Sequence, residues 1–179
     1  MIFITSKKLL IGTCLLLIFQ NISFAQKLDP KGRDSFKPDH IINSKITNKD
    51  YLIHMSFPKN YSIKDSITYP VLYVLDGKST FGYFESSYID YEKIEDVILV
   101  GISHKVNGIE SNINRFNDYT PYRDTITERR IEKKFGVEEG TVKTGEADKF
   151  LACLKKEIVP FIDKHYKTNS DRGISGHSL

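Results

Sequence analysis

Asp171-Arg172-Gly173-Ile174-Ser175-Gly176-His177-Ser178-Leu179 reads as a short strand that runs directly into a turn, and its last four residues supply most of a G-x-S-x-G nucleophile elbow. In that motif the serine sits on a strained strand-to-helix turn that only small neighbours permit, which stands its hydroxyl clear of the sheet. Gly176 is one small neighbour, and the other falls beyond Leu179. A bare G-x-S also describes an ordinary Ser/Gly turn, so the pattern upstream has to decide between the two.

Working back from the elbow, Glu146 to Lys164 places Ala147, Phe150, Leu151, Leu154, Ile158, Phe161 and Ile162 on one face at helical spacing. Pro160 lies within this stretch and is expected to kink or split it, because proline lacks the N–H and its ring clashes with the preceding turn. Further upstream, Val71 to Leu75 and Val97 to Ile102 are continuous apolar runs, the first ending abruptly at Asp76-Gly77. Strands apolar on both sides belong to parallel sheets covered by helices, and the segment between them has room for a crossover helix over Phe81 to Lys93. Ile41 to Thr47 and Tyr51 to Phe57, joined by Asn48-Lys49-Asp50, read as an antiparallel hairpin. In its second strand Tyr51, Ile53, Met55 and Phe57 alternate with Leu52, His54 and Ser56. The expected class is α/β, with a mostly parallel sheet and an N-terminal antiparallel hairpin.

The N-terminus has a different character. Lys7 and Lys8 precede an apolar run from Leu9 to Phe19, and Ser23-Phe24-Ala25 offers small residues for a signal peptidase. The run is shorter than the about 20 residues that a bilayer core requires. Residues 1–25 are therefore read as a signal peptide cleaved after Ala25, leaving no stable membrane anchor and sending the protein out of the cytoplasm, to the periplasm or beyond. Residues 26–39, with Pro30, Gly32 and Pro38, form a lead-in, and the folded domain is expected over 40–179.

Of the 179 residues, 26 are Lys or Arg and 23 are Asp or Glu. Cleavage removes two lysines and no acid, so the net charge falls from +3 to +1. No basic stripe with interleaved aromatics argues for nucleic acid, and Glu128 to Lys134 mixes both signs in the manner of a solvated helix face. Cys14 leaves with the signal peptide, so Cys153 is alone and reads as a small buried hydrophobe on a helix. The five histidines, His40, His54, His104, His165 and His177, are scattered singly, which gives no metal-ligand spacing. Neither metal nor cofactor is expected.

Four segments together resemble the esterase family of the α/β-hydrolase fold that includes enterochelin-type siderophore esterases, S-formylglutathione hydrolase, feruloyl esterases and the mycolyltransferases. They are Tyr69 to Gly77, Val100-Gly101-Ile102 followed by Arg115 to Pro121, Phe150 to Asp163, and Arg172 to Leu179. They follow the family's order and span most of residues 45–179. The resemblance implies a serine hydrolase with Ser178 as nucleophile and the backbone N–H groups of Leu179 and Lys78 as oxyanion donors, supported by the turns at Asp76, Gly77 and Gly176. It also suggests Arg115 and Asp118 as a hydrogen-bonded pair on the site wall, with a structural salt bridge the alternative.

In this fold the chain order is Ser, then Asp or Glu, then His, so the remaining triad members are expected beyond residue 179. The chain is accordingly read as the N-terminal part of an exported esterase, inactive by itself, with apolar surface on Val71 to Leu75 and Val97 to Ile102 left exposed. The expected partner is a small-molecule or polysaccharide-linked ester. An acyltransferase of the same fold and a noncatalytic binding or accessory protein are the alternatives. Thr127 to Thr144, charged and punctuated by glycines, is either a cap over the site or a plain surface loop.

Overall fold

In a computed structural model, which describes residues 37–64, 66–80 and 96–177, the apolar runs become the middle of a five-stranded sheet of order β1-β2-β4-β3-β5. Its strands are β1 (His40–Asn43), β2 (Asp50–Ser56), β3 (Tyr69–Leu75), β4 (Ile98–His104) and β5 (Thr168–Ser175). The expected signal peptide at 1–25, most of the lead-in and the crossover helix at 81–93 lie outside the described residues.

The hairpin forms as the alternation predicts, with Ile42 opposite Tyr51 and Asn43 opposite Asp50. Asn48 takes the left-handed conformation in its turn, at φ 55°, where asparagine is among the few side chains that fit well. Strand β2 also pairs antiparallel with β4. That second neighbour makes β2 an interior strand, so His54 and Ser56 are buried along with Tyr51, Ile53 and Met55. The simple inside-outside alternation does not hold for an element with a strand on each side and cover on both faces.

Strand β3 runs parallel to β4 on one side and to β5 on the other. Every residue of β4 is buried, and Val71, Tyr73 and Val74 of β3 are at most 2% exposed. The apolar surface expected to be bare on these strands is therefore covered within the chain. Exposure falls instead on β5, where Ile174 is 57% exposed.

The helix expected over 146–164 forms in three pieces, α3 (Ala147–Cys153), a π-helical turn (Leu154–Ile158) and α4 (Val159–His165). Pro160 sits at the start of α4. In the turn before it the Val159 N–H bonds the Leu154 carbonyl, five residues back. This widened turn gives the proline ring the room a regular helix denies it. One face of the assembly, Phe150, Cys153, Leu154, Ile158 and Ile162, packs on Tyr51, Ile53, Tyr69, Val71, Tyr73, Ile98, Val100 and Ile102 to form the core. Leu151 is 43% exposed, and Cys153 fills the interior in its place, fully buried. Burial pushes the Cys153 thiol up to about 12, consistent with a packing role.

Two helices lie between β4 and α3, namely α1 (Gly108–Asp118) and α2 (Thr125–Phe135). Helix α2 is capped by the Asp124 carboxylate, which accepts from the Ile126 and Thr127 N–H groups, and it ends at Gly136 with φ 67°, a left-handed C-terminal stop. The expected solvated face holds for its bases, since Arg129, Arg130, Lys133 and Lys134 are exposed, but not for its acids, because Glu128 and Glu132 are both buried. Glu132 accepts from the N–H groups of Gly140 and Val142, and Glu128 from the N–H and hydroxyl of Thr144. The stretch from Thr127 to Thr144 is thus a helix with its following loop tied back onto it by two carboxylates.

Candidate active site

Parallel pairing dictates what meets at one edge of the sheet. Val74 lies opposite Ser175, and Leu75 opposite Ile102, so the carboxyl ends of β5, β3 and β4 emerge side by side. Gly176-His177 therefore leaves β5 next to the Asp76-Gly77-Lys78 turn that leaves β3. Ligands in open α/β sheets bind outside these carboxyl ends. Gly176 stacks closely on Leu75: a Cβ there would approach Leu75 Cδ1 to 3.2 Å. Ser178 and Leu179 lie outside the described residues. Of the residues expected at the site, Asp76, Gly77, Lys78 and Gly176 are brought together.

The turn after β3 is determined from several directions. Asp76 is left-handed at φ 56°, a conformation that costs a non-glycine residue about 1 kcal/mol and that Asp tolerates better than most. Its carbonyl accepts from the N–H groups of Ser79 and Thr80 at 2.9 and 3.1 Å, as a helical turn opens over Gly77–Thr80. Both hydroxyls reinforce it, Ser79 Oγ and Thr80 Oγ1 each donating to the same carbonyl at 3.0 Å. The Asp76 carboxylate takes both its oxygens to Arg115 Nε, at 2.8 and 3.0 Å.

Gly77 is required by contact rather than by φ. A Cβ at this position would stand 2.7 Å from the Gly101 carbonyl carbon and 2.8 Å from both Gly101 Cα and Ile102 N. These are backbone atoms of the adjoining strand, so the clash cannot be relieved by turning a side chain. Gly77→Ala is expected to destabilise the fold by about 1–3 kcal/mol, whereas Gly176→Ala, which meets only the tip of Leu75, should cost less. Urea midpoints of the two variants check this order, and an equal or reversed effect refutes it.

The Lys78 N–H donates to Ser103 Oγ, near the end of β4, at 2.5 Å, and Lys78 Nζ donates to Asn107 Oδ1 at 2.6 Å. The expected second oxyanion donor is thus already engaged by a neutral hydroxyl, an acceptor weaker than an oxyanion. Neither Ser103 nor Asn107 is evident as a site residue from sequence, since the contacts span 25 and 29 positions.

Arg115 and Asp118 do not pair with each other. They stand three residues apart at the end of α1 but face different partners, Arg115 turning to Asp76 and Asp118 into the core. The Asp118 carboxylate accepts from Tyr51 OH at 2.7 Å and lies 2.8 Å from His104 Nε2, while Lys49 Nζ bridges it to Asn117. Burial alone would push Asp118 up, but hydrogen bonds from His104, Lys49 and Tyr51 outweigh it and hold the carboxyl below its usual value. His104 and Asp118 are only 3% and 1% exposed, so this His–Asp contact anchors α1 to the sheet rather than meeting a substrate. Tyr119, next in sequence, lies 5.8 Å below the Arg115 guanidinium. Burial, and then the charges of Asp76 and Asp118, push its hydroxyl up.

Among the described residues no three His, Cys, Asp or Glu side chains converge to hold a metal ion.

A family model described as "Putative esterase" matches residues 44–179. Among solved structures, an IroE-like serine hydrolase from Shewanella oneidensis is 28% identical with a TM-score of 0.58, over 77% of this chain and 41% of its own. The BES protein from Bacillus cereus is 28% identical with a TM-score of 0.61, over 80% of this chain and 52% of its own. The enterobactin and salmochelin hydrolase IroE shares the fold at 23% identity and a TM-score of 0.55, over 78% and 50%. This chain therefore spans about half the length of these structures. No curated protein sequence matches it.

Proposed function

The chain belongs to this esterase family, matched over residues 44–179, and from that premise we propose that the whole protein is an exported serine hydrolase that cleaves carboxylic esters through an acyl-enzyme on Ser178. The observation that carries the proposal is the parallel register of β3 with β5, Val74 opposite Ser175, which sets the residues leading to Ser178 beside Asp76-Gly77-Lys78. A nucleophile elbow and an oxyanion turn have to meet in this way at the carboxyl edge of the sheet.

In the proposed reaction Ser178 Oγ attacks the ester carbonyl carbon and passes its proton to a histidine. The carbonyl oxygen becomes an oxyanion, which the Leu179 and Lys78 N–H groups stabilise, with Lys78 exchanging its bond to Ser103 Oγ for one to the stronger acceptor. Collapse breaks the acyl C–O bond, and the histidine returns its proton to the leaving alkoxide. Water then repeats the sequence on the acyl-enzyme to release the acid. The histidine and its acidic partner are proposed to follow Ser178 in the whole protein, in the usual order for this fold. Export rests on the basic, apolar and small-residue pattern over residues 1–25.

Treatment of the full-length protein with a fluorophosphonate, followed by peptide mass spectrometry, tests the assignment. A single adduct on Ser178, formed in step with loss of activity on a p-nitrophenyl ester, is the expected result. An adduct on another serine, or full activity after stoichiometric labelling, overturns it.

A further inference from the structure

We propose that α1 clamps the oxyanion turn and that Arg115 is its positioning residue, holding the Lys78 N–H in line for the acyl oxygen without touching the substrate. The inference rests on the serine-hydrolase reading above but concerns a residue that the proposed reaction does not use.

Asp76 is the natural point to grip. It occupies a left-handed conformation at φ 56° that glycine would adopt freely, so a side chain at this position has to contribute something in return. What it contributes is a carboxylate chelated through both oxygens by Arg115 Nε. The pair is four-fifths withdrawn from solvent, with side-chain exposures of 21% and 18%, where an ion pair is screened less than on an open surface. Arg115 also lies in the last turn of α1, where the helix dipole favours a cation.

The grip has a second point on the same helix. Asn107 occupies the N-cap position of α1 yet makes no side-chain cap bond there, and its Oδ1 accepts from Lys78 Nζ instead. Arg115 and Asn107 thus hold the residues on either side of Gly77, which is pressed on the Gly101 backbone. The helix that carries them is anchored independently of the turn through Asp118, by Lys49, His104 and Tyr51. A turn held at both flanks, against a strand behind it and from a fixed helix, has little freedom to redirect the Lys78 N–H. Preorganised donors of this kind stabilise an oxyanion because they need no reorientation when charge develops.

The test uses the full-length protein and p-nitrophenyl acetate, a neutral ester too small to reward charge recognition by Arg115. Arg115→Gln and Asp76→Asn are each expected to lower kcat by about 10- to 100-fold with KM within about threefold, the signature of support lost mainly in the transition state. The double variant should be no worse than either single one, because both remove the same contact. Arg115→Lys, which keeps the charge but not the planar donor, should recover part of the loss. Asp76→Gly keeps the variant foldable, since it relieves the left-handed strain while leaving Arg115 without its carboxylate, and it should show the same fall in kcat. Wild-type kcat in Arg115→Gln, a loss confined to KM, or additive losses in the double variant overturns the clamp. A wild-type enzyme that never acylates Ser178 overturns the hydrolase reading beneath it, so the two failures are distinguishable.

Discussion

Ser178→Ala in the full-length protein is expected to lower kcat on a p-nitrophenyl ester by about four to six orders of magnitude while KM changes little, since the proposed nucleophile acts only in the chemical step. The size follows from the lack of a substitute among the described residues near the oxyanion turn. Ser103 Oγ is held by the Lys78 N–H, and Ser79 and Thr80 donate their hydroxyls to backbone carbonyls. Cys153 is fully buried in the core, with its thiol pushed up to about 12, so thiolate chemistry is closed to it. What remains should be the rate that binding and an intact oxyanion turn provide, still about a thousandfold above water. The pre-steady-state burst of p-nitrophenol should vanish together with turnover. A variant that keeps more than about 1% of wild-type kcat, at an unchanged melting midpoint, would exclude Ser178 as the nucleophile.

The strands that frame this site were readable because burial on both faces leaves a mark that needs no partner to interpret. Val71 to Leu75 and Val97 to Ile102 carry no polar interruption, and a strand covered on both sides has no use for one. Strand β5 shows the opposite case. Only Asp171 to Ser175 reads as a strand, yet pairing begins at Thr168, because β5 takes its hydrogen bonds from β3 and most of its side chains are exposed. The Pro160 interruption was legible in position but not in form: a missing N–H says that the regular ladder must fail, and only the packing of Leu154 and Ile158 into the core selects a π turn over a kink. Glu128 and Glu132 mislead for a related reason. Their spacing matches a solvated helix, and what buries them is a set of backbone N–H groups from residues 140 to 144, whose return path no local pattern announces. The Asp76–Arg115 contact spans 39 positions, and sequence offers Asp118 as an equally plausible partner for Arg115 until β2 shows Asp118 already engaged.

That engagement carries the largest stability effect expected in the molecule. Asp118 is the common acceptor for Lys49, Tyr51 and His104, three groups contributed by the hairpin turn, β2 and β4. Removing its charge leaves the Lys49 ammonium with only the more distant Glu146 carboxylate, 3.9 Å away, and takes the charged acceptor from a phenol and an imidazole. Breaking one side of a buried ion pair costs about 3–5 kcal/mol. The Lys49 side chain keeps 17% of its surface in solvent, which places Asp118→Asn toward the lower end of that range. If the cost comes from the stranded Lys49 charge, the double variant Lys49→Met/Asp118→Asn should recover part of it, because no unpaired ion is then left behind. The pH dependence adds an independent sign. The folded carboxyl titrates below the ordinary Asp value of 3.8, so its contribution is complete above that value and is lost as pH falls through the lower, folded one. The gap in urea midpoint between wild type and Asp118→Asn should therefore be open at neutral pH and close below about pH 4. A gap that persisted into stronger acid would mean that shape rather than charge holds α1 in place, and the anchoring assigned to Asp118 would have to be reassigned to the aromatic packing of Tyr51 and Tyr119 on Phe150.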